Sequence, residues 1–227
     1  MADKTPERDP EQENLFKEID EELRQEKMTV LWKKYGIFVM GAAVLVVGSV
    51  AAFQAWQTWD TNRRSVESAK FTTALDAAMQ RRPADAVQNF AILARDGSIG
   101  YATLARLNQA ALQAEGGDRA GAVGSYLSIA NDDTVDTIFR DLALLLSTLH
   151  DLDTAAPDEL ARRVAQLTLT DNPWRHSAKE LSALLSQRRG DRSNARKIFQ
   201  DLADDVTAPA GIRARAAEMS AVLENPS

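Results

Sequence analysis

The fold is decided by the stretch GDRAGAVGSY at residues 117–126, which recurs as GDRSNARKIF at residues 190–199. Both copies begin with Gly-Asp-Arg, carry alanine at the sixth position and end on an aromatic residue. A looser copy follows Pro83, where Ala86 and Phe90 keep the same four-residue spacing. The sequence therefore contains a repeated structural unit.

The residue types within this unit have a direct physical explanation. Glycine takes a left-handed turn at no steric cost and so ends one helix, and the aspartate after it caps the next helix by accepting backbone N–H bonds. Alanine lets two helices approach closely, and the aromatic ring four residues later fills the space beside it. The residues predicted to pack the hairpins are Ala86, Phe90, Gly117, Asp118, Ala122, Tyr126, Gly190, Asp191, Ala195 and Phe199.

The spacing of the copies predicts how many there are. Ala86 and Ala122 lie 36 residues apart, and Ala122 and Ala195 lie 73 apart, about twice that distance. A degenerate copy is therefore expected between them, and residues 160–165 are the candidate. A single hairpin cannot bury its apolar face, so neighbours must stack. A period in the mid-thirties indicates a tetratricopeptide-like solenoid of helical hairpins, with a non-repetitive helical bundle as the alternative.

The chain after residue 61 favours helices throughout. Valine and isoleucine are scattered rather than alternating, which speaks against strands, and alanine and leucine dominate. Proline, glycine and Asn/Asp clusters separate the segments. The predicted fold class is all-α, with nine helices over residues 62–80, 83–95, 100–115, 118–130, 134–150, 157–169, 173–189, 192–204 and 209–223.

An uncharged stretch lies before these helices. Residues 36–53 read GIFVMGAAVLVVGSVAAF, and Gln54-Ala55-Trp56 extends the 18 residues to 21, enough to span a hydrocarbon core of about 30 Å. The sequence predicts one transmembrane helix at residues 36–56; a buried core helix and a cleaved signal peptide are the alternatives. Anchor residues are Gly36, Ile37, Phe53 and Trp56, and the aromatic belt at the membrane interfaces adds Trp32, Tyr35 and Trp59.

Flanking charge predicts the orientation of this helix. Five basic residues precede it and three follow it, and Lys33 and Lys34 lie at its boundary. The positive-inside rule places residues 1–35 in the cytoplasm and residues 57–227 outside, in the periplasm of a Gram-negative cell. The chain is therefore expected to be a single-pass protein of the bacterial inner membrane.

The N-terminal tail divides into two parts. Residues 1–13 are polar and contain two prolines, so we predict that they are disordered. Apolar residues then recur at helical spacing and predict an amphipathic helix that either docks a cytoplasmic partner or is a solvated extension: Leu15, Phe16, Ile19 and Leu23.

No reactive cluster is visible in the sequence. The net charge of −6 disfavours nucleic-acid binding, and the absence of cysteine excludes thiol catalysis and cysteine metal sites. His150 and His176 have no metal-ligand spacing, and the aspartates near residues 132–136 and 201–205 are interpreted as solvated helix ends. Trp174 is either an exposed contact or a core residue. We expect no enzyme activity, no cofactor, no metal and no small-molecule substrate.

The layout resembles a known family. Lys33-Lys34-Tyr35-Gly36 opens the apolar stretch, and the C-terminal part carries further matching positions, namely Pro173, Ala178, Glu180-Leu181, Leu184-Leu185, Gly190-Asp191, Ala195, Phe199, Leu202, Pro209 and Arg213-Ala214-Arg215-Ala216. In these features the chain is similar to the ancillary SecYEG translocon subunit family. The resemblance implies association with the Sec translocon and a periplasmic chaperone, and a chaperone-like role toward exported polypeptides.

Two other functions fit the same layout. One is a membrane-tethered scaffold for envelope assembly or cell division, which shares the fold but has other partners. The other is a regulator that acts through the cytoplasmic tail. All three bind protein partners, and lipid contacts the protein through the single transmembrane helix.

Overall fold

The computed structural model describes residues 10–224, with side chains described from Met28 onward. The described part is helical and contains no strand, as the predicted all-α class requires. The helices are α1 (Pro10–Met79), α2 (Pro83–Asp96), α3 (Ile99–Glu115), α4 (Arg119–Ala130), α5 (Thr137–Asp151), α6 (Pro157–Val164), α7 (Arg175–Arg188), α8 (Arg192–Asp204) and α9 (Ala210–Glu224). A 3₁₀ turn, Ala165–Thr168, follows α6. The chain divides into two compact units after Asn62.

Helix α1 contains the apolar stretch of the first unit. An 18-residue window within it has a mean hydropathy of 2.3, and 6% of that window is buried. By length and composition it is the one helix of the described residues that is apolar enough to cross a membrane.

Helix α1 corrects two sequence predictions. The helix predicted at 62–80 does not begin there, because no glycine or proline separates it from the apolar stretch. Helix α1 begins at Pro10, so residues 10–13 are helical rather than disordered; proline is well tolerated at a first helical position. Residues 1–9 lie outside the described residues, as do the side chains that define the predicted amphipathic helix.

The second unit, from Arg63, is built from helical hairpins. Each hairpin pairs a first helix with a second helix: α1 (from Arg63) with α2, α3 with α4, α5 with α6, and α7 with α8. The N-cap residues of the second helices are Arg82, Asp118, Ala156 and Asp191, which lie 36, 38 and 35 residues apart. The degenerate copy expected at residues 160–165 lies in α6.

Equivalent positions of the second helices are buried in every hairpin. The fourth, eighth and eleventh residues after each N-cap are at most 2% exposed. The fourth is Ala86, Ala122, Leu160 or Ala195; the eighth is Phe90, Tyr126, Val164 or Phe199; the eleventh is Leu93, Ile129, Leu167 or Leu202. In α6, leucine and valine thus replace the alanine and the aromatic residue.

The core is divided into four clusters, each centred on one second helix. Around α2, residues of α1 and α3 complete the cluster, and around α4 those of α3 and α5. The clusters around α6 and α8 likewise draw on the first helices before and after them. Each hairpin therefore buries its apolar face against its neighbours, which is the packing of a solenoid and not of a non-repetitive bundle.

The turns within the hairpins follow from glycine and aspartate. Gly117 and Gly190 have φ of 89° and 82°, values that favour glycine. Asp118 Oδ1 accepts from the Gly121 amide at 2.9 Å, and Asp191 Oδ1 accepts from the Asn194 amide at 3.0 Å. These bonds satisfy one backbone donor at the start of α4 and one at the start of α8.

Three further helix boundaries differ from the prediction by two residues or more. The helix expected at 134–150 begins at Thr137, after the Asp-x-Thr turn. The helix expected at 157–169 is α-helical only to Val164 and continues as the 3₁₀ turn. The helix expected at 173–189 begins at Arg175, because Asn172 Oδ1 accepts from the Trp174 amide at 2.8 Å and holds the preceding residues in a turn.

Candidate interaction surfaces

Polar contacts join each first helix to the loop that leaves the same hairpin. Three of them connect residues 31 positions apart. Glu67 accepts from the Ser98 amide at 2.9 Å and from its hydroxyl at 2.5 Å, Asn172 Nδ2 donates to Asp141 at 2.8 Å, and His176 Nε2 lies 3.2 Å from Thr207 Oγ1. Since each loop leads into the next hairpin, these contacts fix how successive hairpins stack.

Glu67 is only 5% exposed, yet it is held in its charged form. Burial by itself raises the pKa of this carboxyl group. Hydrogen bonds from the Ser98 hydroxyl and amide and from Arg63 act in the opposite direction, and the pKa lies below its ordinary value. Directed donors therefore stabilise the charge of this buried carboxylate.

Two of the exit loops share an Asp-x-Thr turn. Asp132 accepts from the Thr134 hydroxyl at 2.7 Å and from Arg106 at 2.6 Å. Asp205 accepts from the Thr207 hydroxyl at 2.6 Å, and its other oxygen lies 3.2 Å from His176 Nε2. Because a carboxylate only accepts, Nε2 carries the proton in this contact.

The donors lower both carboxyl pKa values to about 2. At Asp132 the Thr134 hydroxyl and Arg106 are the main causes, and at Asp205 they are the hydroxyl and amide of Thr207. The interpretation of both clusters as solvated helix ends is therefore wrong for these two residues, which join helices α3 and α7 to the loops. Local sequence could have revealed the turn through the repeated Asp-x-Thr, but not the distant partners.

A groove of about 480 Å³ lies between the first helices α3 and α5. The Tyr126 ring stacks on His150, with ring centroids 5.6 Å apart and planes 7° from parallel. Burial raises the pKa of Tyr126, and the Glu115 carboxylate raises it further, so the phenol stays protonated at neutral pH. We call this the α3–α5 groove; its lining also includes Asn108, Ala111 and Leu146.

An apolar stripe on α5 continues from this groove. Ile138, Leu142, Leu146 and Leu149 recur at helical spacing, and Ile138 and Leu149 are 46% and 48% exposed. The side chain of Trp174 packs against the neighbouring cluster and donates from Nε1 to the Ile138 carbonyl at 2.9 Å. Trp174 is therefore a packing residue beside the stripe rather than a free aromatic contact.

A second groove, of about 440 Å³, lies between α2, α3 and α4 and is lined by polar and small residues. Gln113 accepts from the Ser125 hydroxyl within it at 2.8 Å. The lining of the α3–α5 groove includes no serine, threonine or lysine, and the lining of the second groove includes no histidine or carboxylate. Among the described residues there is also no group of three His, Asp or Glu side chains that could hold a metal ion.

The predicted anchor and belt residues lie along α1. The six large side chains among them are exposed: Trp32, Tyr35, Ile37, Phe53, Trp56 and Trp59. Tyr35 is 48% exposed, with the Lys34 ammonium 5.4 Å from its ring centroid. Gly36 is the one buried residue among them, and the Trp32 ring lies beside it.

The predicted packing residues lie at equivalent positions of the second unit. Six are the buried alanines and aromatic residues of α2, α4 and α8: Ala86, Phe90, Ala122, Tyr126, Ala195 and Phe199. The remaining four, Gly117, Asp118, Gly190 and Asp191, form the turns that precede α4 and α8.

Comparison with known proteins agrees with this architecture. The model of the tetratricopeptide repeat-like domain matches residues 30–219. A protein of Aggregatibacter actinomycetemcomitans, named ancillary SecYEG translocon subunit, is 22% identical over 194 residues, which cover 84% of this chain and 92% of that protein. No solved structure matches the chain. With four stacked hairpins and a family match over most of its length, the chain belongs to the tetratricopeptide repeat-like domain family.

Proposed function

We propose that this protein is a non-enzymatic accessory subunit of the Sec protein translocon. The proposal rests on the similarity to the ancillary SecYEG translocon subunit of Aggregatibacter actinomycetemcomitans, because that alignment covers 84% of this chain. An alignment of this extent necessarily includes most of the apolar stretch as well as the repeats. The similarity is therefore not confined to a few repeats.

In this proposal, residues 36–56 cross the bacterial inner membrane once. Residues 1–35 form a cytoplasmic tail, and residues 57–227 form a periplasmic repeat domain. The basic residues at the start of the apolar stretch, Lys33 and Lys34, support this orientation. Protease added to spheroplasts tests it: digestion of the repeat domain from outside is expected, and protection of that domain would contradict the topology.

The repeat domain binds newly exported polypeptides or a periplasmic chaperone through the α3–α5 groove and the stripe on α5. Exposed Ile138 and Leu149 supply apolar area, and Asn108 and Glu115 supply polar groups at the groove. Such a mixed surface suits an extended segment with apolar side chains, and it needs no reactive residue.

Co-purification tests the translocon partner. The full-length protein is solubilised in a mild detergent that keeps the translocon intact, and recovery of translocon subunits is expected. Failure to recover them under those conditions would contradict the proposal. Recovery of envelope-assembly proteins instead would favour the scaffold function.

A substitution tests the binding surface separately. Leu149→Asp places a charge in the stripe and is expected to reduce crosslinking to exported chains. A bound polypeptide would bury the new carboxylate without a partner, which is costly. Val206→Asp is the matched control, since Val206 is 84% exposed in the loop between α8 and α9. Equal crosslinking by both variants would exclude the stripe as the binding surface.

A further inference from the structure

The first helices that follow a hairpin carry a covering residue six positions before the N-cap of their partner. In α3 this residue is Leu112 and in α7 it is Leu185. Leu112 packs on the cluster that contains Phe90, and Leu185 lies in the cluster that contains Val164. In both helices an aliphatic side chain thus covers the large residue of the preceding second helix.

In α5 the same position is His150, and its ring covers Tyr126 in the parallel stack described above. Tyr126 is 1% exposed, whereas His150 is half-buried and lines the α3–α5 groove. The imidazole is therefore the part of the stack that a ligand can touch. Since leucine fills this place in α3 and α7, packing alone does not call for a histidine. What the histidine adds is a flat, accessible ring.

Two charged side chains of the groove lack a partner within the protein. In the part of the chain that the structure describes, no hydrogen bond or ion pair holds the side chain of Glu115 or Arg119, although both line the groove. Arg106, by contrast, is paired with Asp132. Of the two groove charges, the Glu115 carboxylate is the one that raises the pKa of the Tyr126 phenol. It therefore supplies an uncompensated negative charge beside the stack.

We propose that the α3–α5 groove selects polypeptide segments that carry an aromatic residue within two positions of a basic one. The aromatic ring stacks on the accessible face of His150, and the basic side chain pairs with Glu115. Apolar side chains of the lining, Leu107, Ala111 and Leu146, receive the edge of the ring. This inference rests on the proposed function and specifies which exported polypeptides bind.

An aromatic side chain suits this surface better than an aliphatic one. Aromatic rings prefer offset parallel or edge-on contacts with one another, and such pairs gain free energy beyond the apolar area that they bury. A ligand ring on His150 would continue the stack that Tyr126 begins. The ion pair with Glu115 lies at an exposed position, so it contributes less and is weakened by salt.

Peptide affinities of the full-length protein in nanodiscs test this selection. Fluorescein-labelled peptides with a flexible glycine and serine frame carry phenylalanine, leucine or alanine at one position and lysine or glutamine two positions later. Fluorescence anisotropy gives the Kd of each. Phenylalanine should bind about three- to tenfold more tightly than leucine. Lysine should bind about two- to fivefold more tightly than glutamine at low salt, and by less at high salt.

Two substitutions separate the two contacts. His150→Leu introduces the residue of α3 and α7, so it should remove the preference for phenylalanine over leucine and leave the preference for lysine. His150→Phe should keep both preferences. Glu115→Gln should remove only the preference for lysine. Glu218→Gln, at an exposed position of α9, is the matched control and should change neither. Circular dichroism of each variant verifies that the helices are retained.

The outcomes are distinct. The same ratio of phenylalanine to leucine affinities in the parent and in His150→Leu would overturn the proposal, as would tighter binding of leucine by the parent or no binding of any peptide. Loss of both preferences in one single variant would contradict the assigned contacts. Recovery of translocon subunits is scored on the same variants and does not depend on the peptides. A protein that recovers the translocon but does not discriminate among the peptides would refute this inference alone.

Discussion

Leu160 and Val164 reverse the size pattern of the other second helices, and this reversal can be tested. Where α2, α4 and α8 carry alanine and then an aromatic ring, α6 carries leucine and then valine, both 0% exposed. Leu160→Ala removes three carbon atoms from a closed core. At about 0.8 kcal/mol per buried CH₂ the transfer loss is about 2.4 kcal/mol, and the cavity left behind raises the total to roughly 3–4 kcal/mol.

The second substitution compensates for the first. Val164→Phe alone adds four carbon atoms to a filled space and is expected to cost about 1–3 kcal/mol. In the double variant the ring occupies the space vacated by Leu160, as Tyr126 and Phe199 do beside their alanines. Its loss of unfolding free energy should therefore be smaller than the sum of the single losses, by about 1–3 kcal/mol.

Urea unfolding of the full-length protein in detergent, followed by far-ultraviolet circular dichroism, measures these changes. Leu149→Ala is the matched control, because the same atoms are removed from a side chain that is 48% exposed, and it should cost much less than Leu160→Ala. If the double variant loses the sum of the two single losses within about 0.5 kcal/mol, α6 is not packed as the degenerate copy of the other second helices.

Three further predictions concern turns and charge. Gly190→Ala should destabilise the protein by about 1–2 kcal/mol, because φ at this turn is 82° and alanine is strained there. Gly124→Ala should instead stabilise it by about 0.5–1 kcal/mol, because Gly124 lies within α4 with open space around it. Urea midpoints of the two variants that move in the same direction would contradict this. Asp191→Ala should lower the free energy of unfolding by about 1 kcal/mol, because it removes the side chain that caps α8. Asp201→Ala, at an exposed position of the same helix, should lower it by at most about 0.5 kcal/mol in the same urea measurement. The Thr207 hydroxyl and amide lower the pKa of Asp205 from its ordinary value of 3.8 to about 2, so its stabilising effect is complete above pH 3.8 and is lost as the pH falls toward 2. Acid unfolding of the parent should show this loss, and Asp205→Asn should lack it.

The hairpins could be predicted from sequence because their turns are local. Glycine with positive φ and aspartate as N-cap act within a few residues, so the repeated Gly-Asp pairs located α4 and α8. In α6 the N-cap is Ala156, which has no capping side chain, so the break before Pro157 and the spacing between the other copies indicated a second helix there.

The polar contacts between first helices and exit loops were beyond sequence reasoning. Their partners lie 26 to 31 residues apart and differ in chemistry from one hairpin to the next. A carboxylate meets a hydroxyl at Glu67, an amide at Asp141 and a guanidinium at Asp132. An acidic residue recurs in these contacts, but its place and its partner change from one hairpin to the next, so the sequence has no single motif for them and only the fold brings the equivalent positions together.

The contacts between first helices and exit loops extend to the border of the α3–α5 groove. What recurs is the place of the contact and not its chemistry, since in every hairpin the first helix is joined to the loop that leads into the next hairpin or helix. The groove is bounded by the first helices of two successive hairpins, and the Arg106–Asp132 pair joins α3 to the loop that leads into α5. An ion pair that does not line the groove therefore links one of its walls to the loop that leads into the other.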